Sequence, residues 1–393
     1  MINDFMFYNP VQIYFGREQM QHLPEVLAQY GKKILLVYGG TSIKRTGLYQ
    51  KIIDQLEQCT IFELSGVEPN PDVTSVREGV TICKREKIDV ILAVGGGSVI
   101  DASKWIAAGA CVEHDPWDFF CKKTSITEAL PLVTVLTIAA TGSEMNNGGV
   151  ISNRELGKKI GRSSPLLYPK ASFLNPEVTC SVSPFQTACG VVDILSHIME
   201  VYFHNGDSFA MLDSIMESIM KTVIQFGPIA FNEPDNYEAR ANLMWAASWA
   251  INGFINGGVR QGWNCHTIEH ELSATYDITH GLGLAILIPR WLSFGYSEQN
   301  KERYRRFGSN VLGLSAQLSD DEMLRGILTG LEDLFYNKLQ LTSNLSDLQI
   351  AESDMPELAQ RLCQNGPLQG FLELNREDVL EILKSCCESV KME

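Results

Sequence analysis

The stretch VILAVGGGSVID, residues 90–101, joins an uninterrupted apolar run to three glycines and to the beginning of a helical pattern. Residues 90–94 predict a strand that is covered on both faces, because no polar side chain interrupts the run. Residues 98–108 predict a helix that begins directly after the glycines. Glycines at such a turn let the backbone approach a phosphate, and the N–H groups at the helix start can hold the anion.

This turn matches the dinucleotide-binding fingerprint G-x-G-x-x-G only in part. Gly95 and Gly97 fit the first two glycines, but position 100 is isoleucine. A glycine-rich turn that binds no ligand is therefore an equally good interpretation of this segment alone. Ser98 is compatible with both interpretations, since its hydroxyl can cap the helix or donate to a phosphate oxygen.

The alternation of strands and helices extends on both sides of this turn. Further apolar runs predict strands at Lys33–Tyr38, Thr60–Leu64 and residues 132–137, with helical patterns at residues 46–58 and 72–86. Strands that alternate with helices build βαβ units around a parallel sheet. We therefore predict an α/β N-terminal domain with a parallel, Rossmann-like sheet over residues 1–180.

The pattern changes at about residue 183, where strand-like runs become rare. Ser183-Pro184 is a typical helix start, with serine as the N-cap and proline at the first helical position. Apolar residues at helical spacing follow at Pro184–Tyr202 and at residues 207–225, 237–255 and 267–275, with further helices from residue 301. We predict an all-helical domain over residues 181–393.

Composition excludes several classes of function. The chain has 393 residues and a formal net charge of −15, which disfavours binding to nucleic acid or to anionic lipid. The start, MINDFMFYNP, lacks a basic segment followed by a long apolar stretch, so we expect no secretory signal. The 10 cysteines form no C-x-x-C pair, and we therefore expect a reduced, cytoplasmic protein.

Two other turns after predicted strands carry hydroxyl groups. Gly39-Gly40-Thr41-Ser42 contains no acidic residue that would repel a 2′-phosphate, and Lys44 and Arg45 follow, so the turn tolerates NADP. The segment 137–144, TIAATGSE, can bind a diphosphate or a nicotinamide amide. Helix capping by Thr141 or Ser143, and a solvated loop at residues 39–42, are the alternative interpretations.

The histidines point to a metal. Asp193 and His197 lie four residues apart on one predicted helix face, and His266 and His270 do the same on another, with His280 close behind. Aspartate and imidazole ligate borderline divalent ions such as Zn²⁺ and Fe²⁺. Each residue alone is more typical of a surface hydrogen bond or a core position. Their joint occurrence in one helical domain favours a metal site.

The chain resembles the iron-containing (group III) alcohol dehydrogenases, and within them the branch of butanol dehydrogenases and aldehyde reductases. The resemblance covers nearly the whole chain and rests on the order of these motifs: Asn9-Pro10 with Phe15-Gly16, Glu68-Pro69-Asn70-Pro71, Gly95-Gly96-Gly97-Ser98 with Asp101, Thr141-Gly142-Ser143-Glu144, Asp193 with His197, and His266, His270 and His280-Gly281.

The resemblance implies a dehydroquinate synthase-like fold with a dinucleotide-binding domain and a helical metal-binding domain. It implies that Fe²⁺ or Zn²⁺ is bound by Asp193, His197, His266 and His280. His270 would lie near the nicotinamide and the substrate, where it would relay a proton or shape the pocket. The cofactor, NADP(H) by preference or NAD(H), would be bound by Gly39, Gly40, Thr41, Ser42, Asn70, Gly96, Gly97, Ser98, Asp101, Thr137, Thr141 and Lys159.

We therefore expect reversible hydride transfer between the nicotinamide and a small primary alcohol or aldehyde, similar to butanol, in a homodimer. A polyol dehydrogenase of the same fold is one alternative, although the aromatic and amide-rich residues 245–263 favour small uncharged aldehydes. A zinc metalloprotease is another, because His266-Thr267-Ile268-Glu269-His270 formally reads H-x-x-E-H. That alternative leaves Asp193, His197 and the α/β half unexplained.

Overall fold

A computed structural model describes residues 2–204, 209–259 and 262–388 of the chain. Residues 207–208 of the predicted helix 207–225, and residues 260–261 of the aromatic stretch, lie outside this range. The described residues form two compact units. The α/β unit comprises Tyr8–Val182 and Pro234–Gly253, and the helical unit comprises the described parts of Met1–Phe7, Ser183–Glu233 and Phe254–Glu393.

The α/β unit contains a six-stranded sheet in the order β1-β8-β5-β4-β2-β3, in which all neighbours are parallel. The predicted parallel sheet is therefore confirmed. A separate antiparallel hairpin consists of β6 and β7. The strands are β1 Gln12–Phe15, β2 Lys33–Tyr38, β3 Thr60–Leu64, β4 Val90–Gly95, β5 Leu132–Leu136, β6 Gly148–Asn153, β7 Lys158–Ser163 and β8 Ala171–Leu174.

Helices cover both faces of this sheet. They are α1 Leu23–Ala28, α2 Ser42–Arg45, α3 Leu48–Gln55, α4 Val73–Glu86, α5 Gly97–Gly109, α6 Trp117–Phe120 and α9 Tyr237–Ala250. Successive residues of a strand point to opposite faces, so Leu35 and Val37 enter one apolar cluster while Ile34 and Leu36 enter another. The two clusters explain why the central strands consist of unbroken apolar runs.

The structure differs from the sequence prediction at several elements of this unit. The expected helix 46–58 is shorter in the structure, where only α3 falls within it, and the separate short helix α2 precedes it. Gly47, in a left-handed conformation with φ of 77°, separates α2 from α3. The strands β1 and β8 were not predicted. Each has only four residues, and β8 contains the polar Ser172, so neither gives a long apolar run.

The helical unit contains α7 Pro184–Tyr202, α8 Ala210–Asn232, α10 Asn264–Tyr276, α11 His280–Gly295, α12 Lys301–Asn310, α13 Asp320–Glu332, α14 Met355–Leu362 and α15 Arg376–Ser385. The predicted start of α7 is confirmed, since the Ser183 hydroxyl accepts a hydrogen bond from the Gln186 N–H. Among the described residues, none of the helices has the length and apolar character needed to span a bilayer.

A buried lysine on α5 connects this helix to the turn that follows β5. The Lys104 ammonium donates to Ser143 Oγ at 2.8 Å, to Asn146 Oδ1 at 2.9 Å and to the Gly148 carbonyl at 2.6 Å. All three of its protons are thereby used. Burial lowers the pKa of Lys104 to about 8, although the nearby Asp101 carboxylate raises it. The contacts fix the turn against α5.

We expect Lys104→Met to lower the free energy of unfolding by about 3 kcal/mol, because the buried Ser143 hydroxyl and two half-buried acceptors lose their donor. Urea denaturation monitored by circular dichroism measures this change. Lys51→Met, at an exposed position of α3, is the control and should change stability by less than about 0.5 kcal/mol. Equal midpoints for the two variants would contradict a structural role of Lys104.

Candidate metal centre

The site begins with two residues of α7. Asp193 and His197 lie one helical turn apart, so both side chains leave the same face, and Asp193 Oδ1 is 3.6 Å from His197 Nε2. Both side chains are buried. A carboxylate and an imidazole of this kind need partners inside the protein, because water does not reach them.

Two further helices bring their imidazoles to the same oxygen. His266 of α10 places Nε2 at 3.8 Å from Asp193 Oδ1, and His280, the first residue of α11, places Nε2 at 3.6 Å. Asp193, His266 and His280 form a group whose donor atoms all lie within 4.8 Å of one another. His197 joins this group through its contact with Asp193. The structure thus brings together the four residues that the sequence singled out as ligands.

These donor atoms fit a divalent cation. Ligands about 2.1 Å from a tetrahedral ion lie about 3.4 Å apart, close to the separations at Asp193. Within the described part of the chain, the buried Asp193 Oδ1 and His266 Nε2 atoms have no hydrogen-bond partner. A buried polar atom without a partner is costly, and a cation at the centre of the group would satisfy both atoms.

The pKa values of Asp193 and His197 favour the forms that bind metals, whereas that of His266 favours the protonated form. Burial opposes ionisation of Asp193, but the three imidazoles hold its pKa well below the ordinary range. Burial lowers the pKa of His197 to about 3 and keeps this imidazole neutral. Burial also opposes a charge on His266, yet the Glu200 and Asp193 carboxylates raise its pKa to about 9. A proton and a metal ion therefore compete for His266.

Two glycines allow α11 to begin this close to its neighbours. A Cβ atom on Gly281 would overlap the backbone of Cys189 in α7, so only glycine permits this approach. A Cβ atom on Gly283 would lie 2.8 Å from Cγ of Glu269. The sequence His280-Gly281-Leu282-Gly283 thus places His280 beside Asp193.

The sequence analysis missed two carboxylates that lie behind the imidazoles. Glu200 accepts a hydrogen bond from Nδ1 of His266, and Glu269 accepts one from Nδ1 of His280. Spacing gave a signal for Glu200, because it lies seven residues after Asp193 and three after His197 on the same face of α7. Glu269 entered the sequence analysis only as the acidic residue of the H-x-x-E-H pattern, where it would be the general base of a protease.

His270 lies beside the group without joining it at Asp193. Its ring centroid is 5.4 Å from that of His280 and 6.2 Å from that of His266.

The protease alternative needs Glu269 as a base for water, but this carboxylate already bonds His280 and the Ser273 hydroxyl. The arrangement around Asp193 also uses His280 in place of His270. The geometry therefore speaks against the H-x-x-E-H interpretation.

In the α/β unit, the predicted cofactor-binding turns lie beyond the carboxyl ends of neighbouring strands. Gly39 follows β2, Gly96 follows β4 and Thr137 follows β5, and these three strands are adjacent and parallel. Ligands of such sheets bind beyond the carboxyl ends of the strands. A Cβ atom on Gly97 would overlap the Thr141 side chain, so these two turns are in direct contact.

The remaining predicted cofactor residues lie in other settings. The Asp101 carboxylate accepts hydrogen bonds from Ser143 Oγ at 2.5 Å and from the Val150 N–H at 2.8 Å. It therefore holds the turn after β5. Asn70 takes a left-handed conformation with φ of 51°, and Lys159 lies in β7 of the hairpin, opposite Ser152. Gly40, Thr41 and Ser42 continue the turn after β2, and Ser98 lies in the first turn of α5.

Comparison with known proteins gives matches along the whole chain. The iron-containing alcohol dehydrogenase family matches residues 10–176, and the C-terminal domain of the Fe-containing alcohol dehydrogenase family matches residues 187–387. The probable NADH-dependent butanol dehydrogenase 1 of Bacillus subtilis is 45% identical, over 98% of this chain and 100% of that protein. The NADPH-dependent aldehyde reductase YqhD of Escherichia coli is 34% identical, over 99% of this chain and 100% of that protein.

A solved structure shows the same architecture. The crystal structure of NADH-dependent butanol dehydrogenase A from Thermotoga maritima superimposes with a TM-score of 0.93 at 39% identity. The match covers 98% of this chain and 99% of that one. These comparisons confirm the resemblance drawn from the motifs.

The close approach of α11 to α7 can be tested with Gly281→Ala. The added methyl group meets the Cys189 backbone, which cannot rotate away, so we expect a loss of about 1–3 kcal/mol in the free energy of unfolding. The control is Gly330→Ala in α13, where a Cβ atom would meet only Leu312 at 3.4 Å. It should stabilise the protein by up to about 1 kcal/mol, since alanine is the better helix former. Thermal unfolding of both variants measures the difference, and an unaffected Gly281→Ala protein would contradict the tight approach.

Proposed function

Because this chain belongs to the iron-containing alcohol dehydrogenase family, we propose that Asp193, His197, His266 and His280 bind one divalent cation, Fe²⁺ or Zn²⁺. The protein is an oxidoreductase that interconverts alcohols and aldehydes with a nicotinamide cofactor. The convergence of three imidazole Nε2 atoms on Asp193 Oδ1, at 3.6–3.8 Å, supports the ligand assignment.

The substrate is a small primary aldehyde such as butanal, and the reverse reaction oxidises the corresponding alcohol. A cation held by these four residues would polarise the carbonyl oxygen, and a bound reduced nicotinamide would supply the hydride for the carbonyl carbon. The four ligands contribute by holding the cation at a fixed position. His280 has 22% of its side-chain surface exposed, more than the other three ligands, and so marks the side from which substrate enters.

His270 passes a proton between the substrate oxygen and solvent. It is half-buried, and its ring centroid lies 5.4 Å from that of His280. Imidazole is a common proton carrier in enzymes. An effect on pocket shape alone is the alternative role.

The cofactor is held by the turns at the carboxyl edge of the sheet. Gly96, Gly97 and Ser98 present backbone N–H groups at the start of α5 to the diphosphate. Thr137, Thr141, Asn70 and Lys159 complete the binding surface. Asp101 takes part by holding the turn after β5, to which Ser143 belongs.

NADP(H) is the preferred cofactor, and NAD(H) is also accepted. The turn Gly39–Ser42 has no acidic residue, and Lys44 follows it in α2. Lys44 Nζ lies 3.6 Å from the Glu63 carboxylate, which neutralises part of its charge. That pairing weakens the preference for a 2′-phosphate and leaves NAD(H) as a usable cofactor.

The assembly and location are proposed on general grounds. A homodimer is the most common soluble assembly. A cytoplasmic location is supported by the 10 cysteines, all of which are free thiols.

Removing a ligand should remove the metal. For His280→Ala and Asp193→Ala we expect metal content to fall from about one ion per chain to near zero. Reduction of butanal by NADPH, followed at 340 nm, should fall by roughly 1000-fold, because several kcal/mol of transition-state stabilisation are lost. His22→Ala in the α/β unit is the control and should keep both metal and activity. Metal and turnover that survive in His266→Ala would reject the ligand assignment.

The cofactor preference can be tested separately with Lys44→Met and Glu63→Gln. Lys44→Met should lower kcat/KM for NADPH several-fold and leave that for NADH nearly unchanged, since only the 2′-phosphate needs the cation. Glu63→Gln frees the Lys44 charge and should shift the ratio toward NADPH. Steady-state kinetics with both cofactors measure this ratio. A ratio that neither substitution changes would place the 2′-phosphate elsewhere.

A further inference from the structure

Glu200, in the last turn of α7, is buried against the beginning of α10. One carboxylate oxygen accepts from the Cys265 backbone N–H at 2.6 Å. The other accepts from the His266 backbone N–H at 3.2 Å and from Nδ1 of the same imidazole. A single side chain thus fixes both the backbone and the ring of His266.

Glu269 lies in α10, one turn after His266, and makes a corresponding contact with His280. This fully buried carboxylate accepts from Nδ1 of His280 with one oxygen and from the Ser273 hydroxyl with the other. Gly283 leaves the space that the Glu269 side chain occupies. The His280 ring is therefore held from its far side, away from Asp193.

We propose that Glu200 and Glu269 are positioning residues that orient the metal-binding imidazoles. An imidazole whose Nδ1–H donates to a carboxylate carries its lone pair on Nε2, which is the atom that faces Asp193. This inference rests on the proposed ligand assignment and adds the residues that set tautomer and ring orientation.

The two contacts connect the helices in the order of the chain. Glu200 of α7 orients the imidazole of α10, and Glu269 of α10 orients the imidazole of α11. α7 and α10 therefore each carry both a ligand and the carboxylate for the ligand of the next helix. Rotation of α7 or of α10 would move two imidazoles at once.

His197 provides an internal contrast. Its Nδ1 atom is buried and lacks a hydrogen-bond partner among the residues described by the structure. Its ring stacks on that of His266 with centroids 4.7 Å apart, and Trp263 packs edge-on at 5.9 Å. Packing against rings, including the ring that Glu200 fixes, orients His197.

Substitutions of Glu269 can separate the effect of its hydrogen bond with His280 from the effect of its carboxylate charge. In Glu269→Gln the amide oxygen can accept from His280, and the amide nitrogen can donate to Ser273, whose hydroxyl can turn toward the Ile278 carbonyl at 3.1 Å. In Glu269→Leu the His280 Nδ1 atom loses its acceptor. Glu200→Gln is less informative, because its amide nitrogen would face a backbone N–H donor.

The experiment measures Zn²⁺ affinity by chelator competition and the visible spectrum of the Co²⁺-substituted full-length protein. We expect Glu269→Leu to bind Zn²⁺ about 10- to 100-fold more weakly than the parent protein, with an altered Co²⁺ spectrum. Glu269→Gln should stay within a few-fold of the parent and restore the spectrum. Glu271→Leu removes a carboxylate of α10 that pairs with Arg361, and should change neither measurement.

The outcomes separate this inference from the proposed function. If the parent protein binds neither ion, the ligand assignment itself fails. If the parent binds and Glu269→Leu binds equally well with the same spectrum, the positioning role is wrong. If Glu269→Gln behaves like Glu269→Leu, charge and not the hydrogen bond controls affinity, and the role is again wrong. Circular dichroism of the metal-free proteins identifies a variant that fails to fold, in which case Glu269→Gln and Glu271→Leu decide.

Discussion

The buried carboxylate of Asp193 is the constraint on which the helical unit depends. Three imidazoles approach one of its oxygens, and that oxygen has no hydrogen-bond partner within the described residues. A buried charge of this kind destabilises a fold unless an opposite charge meets it. Imidazoles from α7, α10 and α11 surround it, so the helices are arranged about the position that a cation would take.

The turns beyond the carboxyl ends of the strands are constrained differently, because the backbone and not the side chains must come close to a neighbour. Gly96 and Gly97 lie where a Cβ atom would overlap the side chains of Ile138 or Thr141, so packing favours glycine at both positions. The same absence of side chains exposes N–H groups at the start of α5. This explains why the glycine pattern by itself left binding and non-binding interpretations equally good. Close packing and the binding of a phosphate would both favour glycine at these positions.

The sequence predicted what local periodicity encodes. Lys33–Tyr38 and Thr60–Leu64 have the bounds of observed strands, and Asp193 and His197 lie on one face of α7 as helical spacing requires. Strands β1 and β8 were missed because four-residue segments gain their stability from neighbouring strands and not from their own pattern. Glu200 and Glu269 were missed for a related reason. Their partners lie on other helices, so spacing could place Glu200 on the same face as Asp193 but could not show which imidazole either carboxylate contacts.

Two buried carboxylates, Glu144 and Asp193, lie in contrasting surroundings. Glu144 and Asp193 each have a buried oxygen without a hydrogen-bond partner in the described chain. Burial raises the pKa of Glu144, although the Ser248 hydroxyl and the Lys104 ammonium oppose this shift. Asp193 is equally buried, yet its imidazoles lower its pKa. The two carboxylates therefore differ in what surrounds them, because Asp193 has three imidazole nitrogens at 3.6–3.8 Å around the position that the proposed cation would take.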